Sequence, residues 1–263
     1  MQVEEIFIYP IKSLRGVNLS SCEVDISGLN LDRIFMLVDD KHEFLTQRKF
    51  PKLAEITVTI NQNYLYLQSP SNQLILDLNT PPIGKTIQSK IWKDDVQGNW
   101  VSEEADEFFS QFLQTKVHLI KKTNTRIHTT QSGNTVPSSF ADGLPVLVID
   151  TGSLAYIQEV FPNIFEMENF RPNLVISSGL AFIEDKTKAL EIGTTLFKFE
   201  KKCARCSMIN VNPKTGHVNK EVLKCLAKIR SHDNKVFFGS LYIPQSKGLI
   251  QVKDQINPIF EPS

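Results

Sequence analysis

The sequence predicts a mainly β protein decorated by a few helices, and three patterns predict it. Short apolar or alternating runs recur at even spacing through residues 1–95, separated by Gly, Asn, Ser and Pro. Few segments switch to helical period, and the second half returns to short apolar strands. Strands of such even spacing suggest a barrel or a folded sheet.

Taken in order, strands are expected at residues 5–8, 17–26, 35–39, 56–60, 64–68, 73–78 and 87–92, with Pro81, Pro82 and Gly84 punctuating the series. A helix is expected over residues 102–113. Ser102 is placed to cap it, Glu103 and Glu104 lie in its first turn, and Ala105, Phe108, Phe109 and Phe112 share one face. A strand at 117–120 precedes a polar, Thr-rich stretch, residues 121–139, which reads as a long loop. Beyond it, residues 144–149 form a buried strand, and Thr151 or Ser153 caps a helix through Val160. Residues 173–177 are a strand, 194–200 and 207–211 alternate like paired strands, 220–231 are helical, and 249–252 are a last strand. There are no internal repeats or low-complexity tracts.

Lys plus Arg and Asp plus Glu both number 29 in this chain of 263 residues, so no net charge marks a general nucleic-acid binder or a polybasic membrane protein, and any anion site must be local. The N-terminus has early acids and no basic, apolar leader, and the longest apolar run falls far short of the roughly 20 residues that span a bilayer. A cytoplasmic location is expected, with neither nucleic acid nor membrane as partner. Four cysteines are too few for a disulfide scaffold.

Two of those cysteines, Cys203 and Cys206, stand three positions apart among Lys201, Lys202 and Arg205, where a thiolate is electrostatically favoured and can hold a soft metal. Structural zinc would want two further ligands, and His217, Cys225 and His232 are irregularly placed. A thioredoxin-like pair should open a helix, whereas the following Ser-Met-Ile-Asn-Val alternates like a strand. Two ordinary buried thiols remain the plain alternative. Basic residues at loop edges recur in Tyr-Pro-Ile-Lys-Ser (9–13), Leu-Asp-Arg (31–33) and Asn-Phe-Arg-Pro-Asn (169–173), as a phosphate group needs. The five histidines lie in polar or strand-like segments and suggest structural roles.

Together with Leu-Asp-Arg-Ile-Phe-Met-Leu-Val (31–38), Thr-Gln-Arg-Lys-Phe-Pro (46–51), Phe-Ala-Asp-Gly-Leu-Pro (140–145) and Cys-Ala-Arg-Cys (203–206), these motifs occur in the order that resembles the MOSC family. The resemblance is to the branch with an N-terminal β-barrel domain, which includes the YcbX-type proteins and the mitochondrial amidoxime-reducing component. It implies an N-terminal β-barrel-like domain over residues 1–120 and a MOSC β-barrel domain over 121–263. It also implies a molybdenum cofactor, Mo-molybdopterin, whose metal is bound by the thiolate matching Cys206. Lys12, Ser13, Arg33, Arg171 and Asn173 match residues that hold the pterin and its phosphate, while Ala204 and Arg205 flank the metal thiolate. Asp142 matches a cofactor-binding position and is the acidic residue expected to supply protons beside Cys206.

The implied activity is reduction of N-hydroxylated or N-oxygenated small molecules. The alternative is a non-catalytic molybdopterin-binding or sulfur-carrier module using Cys206. A pyridoxal phosphate association also travels with the family. At Gly143 and Leu144 the chain departs from the hydroxyl-bearing run of its branch, so two hydroxyl contacts implied by the resemblance do not carry over. With no cysteine cluster for an iron–sulfur centre up to Ser263, electrons are expected from a separate ferredoxin- or flavoprotein-type donor.

Overall fold

The computed structural model describes residues 1–82, 84–130 and 133–260. Gln131 and Ser132 of the expected loop, and the terminal Ser263, lie outside them.

The architecture is mainly β, as expected, and its largest unit is a nine-stranded sheet that draws on both ends of the chain. Its main path runs Val17–Leu19, Gln2–Ile8, Leu174–Ser177, Val146–Asp150, Lys235–Pro244, Thr195–Arg205, Thr187–Ile192 and Ile256–Phe260. The opening strand pairs antiparallel with Leu174–Ser177, Ile6 facing Leu174, and Gly248–Gln251 pairs with Ser21–Asp25. The two halves are therefore knitted together by backbone hydrogen bonds rather than only apposed. The other strands of the first half form a four-stranded sheet of Phe35–Asp39, Val117–Lys122, Asp94–Trp100 and Thr86–Ile91, and a meander of Thr57–Asn61, Tyr64–Gln68 and Gln73–Asp77. In the meander Leu65, Leu67, Leu74 and Leu76 face the core and their neighbours face solvent, the period-two pattern that made these strands legible.

Among the described residues four helices decorate the strands: α1 (Glu103–Leu113), α2 (Thr151–Val160), α3 (Met167–Phe170) and α4 (Glu221–Arg230). Ser102 caps α1 as expected, its side chain accepting from the Ala105 amide. For α2 the cap is neither Thr151 nor Ser153 but Asp150, whose carboxylate accepts from the Gly152 amide at 2.7 Å. Ser153 is buried instead, donating to Glu184.

Three other expectations are corrected. The Thr-rich stretch is not a plain loop: Arg126–Thr129 and Thr135–Ser138 pair as a hairpin, with His128 facing Val136. Residues 207–211 do not form a strand. After Cys206 the chain leaves the sheet, and Ser207–Asn210 close as a 3-10 turn in which the Ile209 amide donates to the Cys206 carbonyl at 3.3 Å. The strand they were expected to pair with runs on to Arg205 and lies between Thr187–Ile192 and Lys235–Pro244. That ten-residue central strand was not foreseen. Gly239 takes φ +70, and a Cβ there would meet Ile149 Cγ1 at 2.6 Å, so glycine lets the strand bend tightly over its neighbour.

The two larger core clusters are one under the main sheet and a phenylalanine-rich one beneath α2, α3 and α4. In the second, Phe170 is fully buried, its ring centroid 4.1 Å from that of Phe238 and 6.0 Å from that of Phe165. This packing fixes the end of α3, where Arg171 begins the candidate site.

Glu184 also lies wholly inside. It accepts from Ser153 Oγ at 2.9 Å, its Oε1 has no protein partner, and burial pushes its carboxyl up to about 7. The fold thus favours the protonated acid, so the stability it allows is present at low pH and lost as pH rises from the ordinary value of 4.5 through about 7. Glu184→Gln is expected to remove up to about 3 kcal/mol of that loss, measured by urea unfolding of parent and variant at pH 5 and pH 8. Equal pH dependence in both would show that Glu184 does not carry it.

Candidate functional site

The strand Thr195–Arg205 delivers the two thiols, and its pairing with Lys235–Pro244 slips between Phe199 and Lys201 and again between Lys202 and Ala204. Such bulges re-aim side chains at the end of a strand. Cys203 is half-buried against the phenylalanine cluster and accepts a hydrogen bond from Arg205 Nη1 at 3.0 Å. Cys206 is exposed, and Arg48 Nη1 lies 3.4 Å from its Sγ. The two thiols therefore differ in surroundings, as a symmetric paired-thiol site would not require. Both are free, Cys225 is buried in α4, and among the described residues no three His, Cys, Asp or Glu side chains gather as a metal group.

Opposite the thiols, the segment that follows the opening strand folds back on residues 32–35. The Tyr9 amide donates to Asp32 Oδ1 at 2.8 Å, the Arg33 amide to the Tyr9 carbonyl, and the Lys12 amide to the Phe35 carbonyl. Ser13, Arg33 and Arg171 all take positive φ, at 71°, 50° and 55°. Non-glycine residues seldom adopt this region, and three of them around one site mark stored strain of the kind that accompanies function. The Arg33 and Arg171 guanidinium groups lie 4.3 and 4.1 Å from the Tyr9 ring centroid, and Tyr9 anchors the arrangement by donating its hydroxyl to the Pro172 carbonyl. Arg33 is further held by Asp32 and by Asn173 Oδ1 at 3.2 Å, and Arg171 donates to the Leu14 carbonyl at 2.7 Å. Burial pulls Arg171 down to about 10, which still leaves it cationic at neutral pH.

Lys12 is 4 % exposed and binds Asp142 at 2.7 Å and the Phe140 carbonyl at 2.9 Å. Burial lowers its ammonium to about 8, with Asp142 opposing the shift. Burial also works against the charge on Asp142, but Lys12, Arg48 and the indole of Trp92 outweigh it and hold the carboxyl below its usual value. Trp92 donates Nε1 to Asp142 at 3.1 Å.

Lys12, Ser13, Arg33, Asp142, Arg171, Asn173, Ala204, Arg205 and Cys206 line one cavity, together with Gly143 and Leu144. Segments more than 190 positions apart in sequence thus meet there. Two of these residues are largely occupied by the protein itself: Ser13 Oγ donates to the Leu45 carbonyl at 3.4 Å, and the Asn173 amide is shared among Phe7, Leu147 and Arg33. Asn173 acts on the cavity by steadying Arg33.

The donor set suits an anion that carries a soft metal. Lys12, Arg33, Arg171 and Arg205 face a cavity in which Asp142 is the lining carboxylate, Arg205 Nε is buried with no protein partner, and an exposed thiol stands at the rim. Gly143 leaves space: a Cβ there would meet only Leu241 Cδ1, at 3.8 Å. Sequence reasoning missed Tyr9, Arg48 and Trp92. Tyr9 and Arg48 sit inside motifs already singled out, whereas nothing local distinguishes Trp92 at its hairpin tip.

Comparison with known proteins adds an independent line. The profile of the MOSC N-terminal beta barrel domain matches residues 1–116, and that of the MOSC domain matches residues 136–257. Mitochondrial amidoxime reducing component 2 of Macaca fascicularis is 30% identical, the match covering 97% of this chain and 82% of the relative. Its Homo sapiens counterpart is 29% identical over the same shares. Molybdenum cofactor sulfurase of Danio rerio is 32% identical over 92% of this chain but only 32% of its own length. The pyridoxal phosphate association and the cytoplasmic location are not borne out by these matches, several of which are to proteins named as mitochondrial. Among the described residues no helix is long and apolar enough to cross a membrane.

Proposed function

Since the chain belongs to the MOSC family, in the branch with an N-terminal β-barrel domain, we propose that it is a molybdenum-cofactor-dependent reductase of N-hydroxylated or N-oxygenated small molecules. The observation that carries the reading is the cavity itself, where Lys12, Arg33 and Arg171 converge with Arg205 and the exposed thiol of Cys206. Relatives named as amidoxime reducing components support the substrate class. We divide the chain functionally into residues 1–120, which contribute Lys12, Ser13 and Arg33, and residues 121–263, which contribute Asp142 and the thiol.

In this reading Arg33, Arg171 and Lys12 hold the pterin phosphate, Ser13 and Asn173 brace their neighbours, and Ala204 and Arg205 shape the approach to Cys206, the metal ligand. The cofactor, when bound, supplies the two-electron chemistry. The protein's share is to bind and orient it, and to manage protons. Asp142, expected as the proton donor, keeps its carboxyl below the usual value, with Lys12, Arg48 and Trp92 outweighing burial, so at neutral pH it stays ionised and supports the charge on Lys12. Lys12, at about 8, is the member of the pair with a proton to release there. In this reading electrons come from a separate ferredoxin- or flavoprotein-type donor, since the four cysteines of this sequence carry no iron–sulfur spacing motif.

Protein produced in a cofactor-competent host is expected to contain molybdenum and a fluorescent oxidised pterin in similar amounts. Stoichiometric zinc without pterin would overturn the assignment. The similarity to a molybdenum cofactor sulfurase supports a second reading, in which Cys206 carries sulfur without catalysing reduction. Persulfide on Cys206 in protein free of molybdenum would favour that reading.

A further inference from the structure

Arg48 projects from the loop before the 3-10 turn Pro51–Glu55 and reaches a residue 158 positions away, donating from Nη1 to Cys206 Sγ at 3.4 Å. Among the described residues it makes no other hydrogen bond and has no carboxylate within ion-pair distance. A free arginine would spend its rotamer entropy in solvent, so something must fix it. Its guanidinium lies 4.7 Å from the Trp92 ring centroid. Trp92 is itself fixed on two sides, by its bond to Asp142 and by an edge-to-face contact with Phe44 at 5.5 Å. Its φ of 58 is what the first central position of this two-residue hairpin turn demands, and the turn carries the ring, 52% exposed, to the place where Arg48 meets it.

From this chain of contacts we propose that Arg48 is a positioning residue for the Cys206 sulfur, clamped against it by Trp92. The inference rests on the reading of Cys206 as metal ligand and adds to it a grip supplied by the N-terminal half of the chain. An N–H donated to a ligating sulfur fixes the sulfur's direction and withdraws electron density from it, which raises the reduction potential of the metal it binds. Trp92 acts one step further out, by holding the guanidinium in place and by tying it to the Lys12–Asp142 pair.

The test is an EPR-monitored redox titration of the metal in purified holoprotein, with molybdenum and pterin contents measured on the same samples. Arg48→Ala is expected to keep both contents, because the phosphate grip lies elsewhere, and to shift the potential downward. Arg48→Lys should recover part of the shift and Trp92→Ala should move it in the same direction. An unchanged potential in fully loaded Arg48→Ala overturns the inference and leaves the cofactor reading standing. Loss of pterin in both Arg48 variants overturns it as well, since Arg48 would then hold the cofactor rather than the sulfur. A parent protein without molybdenum overturns the cofactor reading and this inference with it.

Discussion

Cys206→Ala is expected to abolish reductase activity and to remove one sulfur from the metal's coordination, while pterin is retained. The thiol is exposed and accepts only the Arg48 contact among the described residues, so its removal should leave stability within about 0.5 kcal/mol, as for surface changes away from special features. Cys203→Ala should behave in the opposite way. That thiol packs against the phenylalanine cluster and accepts from Arg205, so the variant should lose about 1 kcal/mol of stability and keep most of its turnover. Turnover with an artificial donor such as reduced viologen, together with metal-edge X-ray absorption, separates the two. Equal loss in both variants would favour a paired-thiol site, and loss confined to Cys203→Ala would reassign the ligand.

Arg171→Ala is expected to weaken cofactor retention by roughly ten- to hundredfold, the worth of one charge-assisted hydrogen bond. Arg33→Ala should act similarly, since both guanidinium groups stack on Tyr9 and line the same cavity. Arg171→Ala also deletes the bond to the Leu14 carbonyl, so a stability loss of about 1 kcal/mol should accompany it. Because Arg171 is lowered only to about 10, its own share of retention should not change with pH across the neutral range, whereas the share of Lys12 should fall as pH rises through about 8. Pterin content before and after extensive dialysis measures the effect. Full occupancy in both variants would make these arginines structural supports.

Much of the local structure could be read directly. The meander Thr57–Asn61, Tyr64–Gln68 and Gln73–Asp77 follows from strict alternation, and α1 from a capping serine before four residues on one face. The site was legible for a different reason. Its residues sit in short motifs whose order carries the family resemblance, and that order does not depend on knowing the fold. Where reading failed, the missing information was long-range. Lys235–Pro244 has no clean alternation because its residues enter two cores, Tyr242 in the large cluster and Phe238 in the phenylalanine-rich one. The Thr-rich hairpin has few apolar residues to mark a buried face. Asp142 was recognised as an acid near the thiol, but the burial that works against its charge and the Lys12 that opposes it, 130 positions away, are set by the fold.

The sequence by itself determined a mainly β chain, a capped helix after Ser102, and the set of basic and thiol residues that the family relation groups together. Only the tertiary structure decided that the opening strand belongs to the sheet of the second half, that Arg48 and Trp92 reach Cys206 and Asp142, and that Cys203 and Cys206 stand in unlike surroundings. The reason is that periodicity and capping are local properties, set by backbone geometry over a few residues. Which strand pairs with which, and which side chains then meet, depends on where buried faces and unpaired backbone groups find partners across the whole chain.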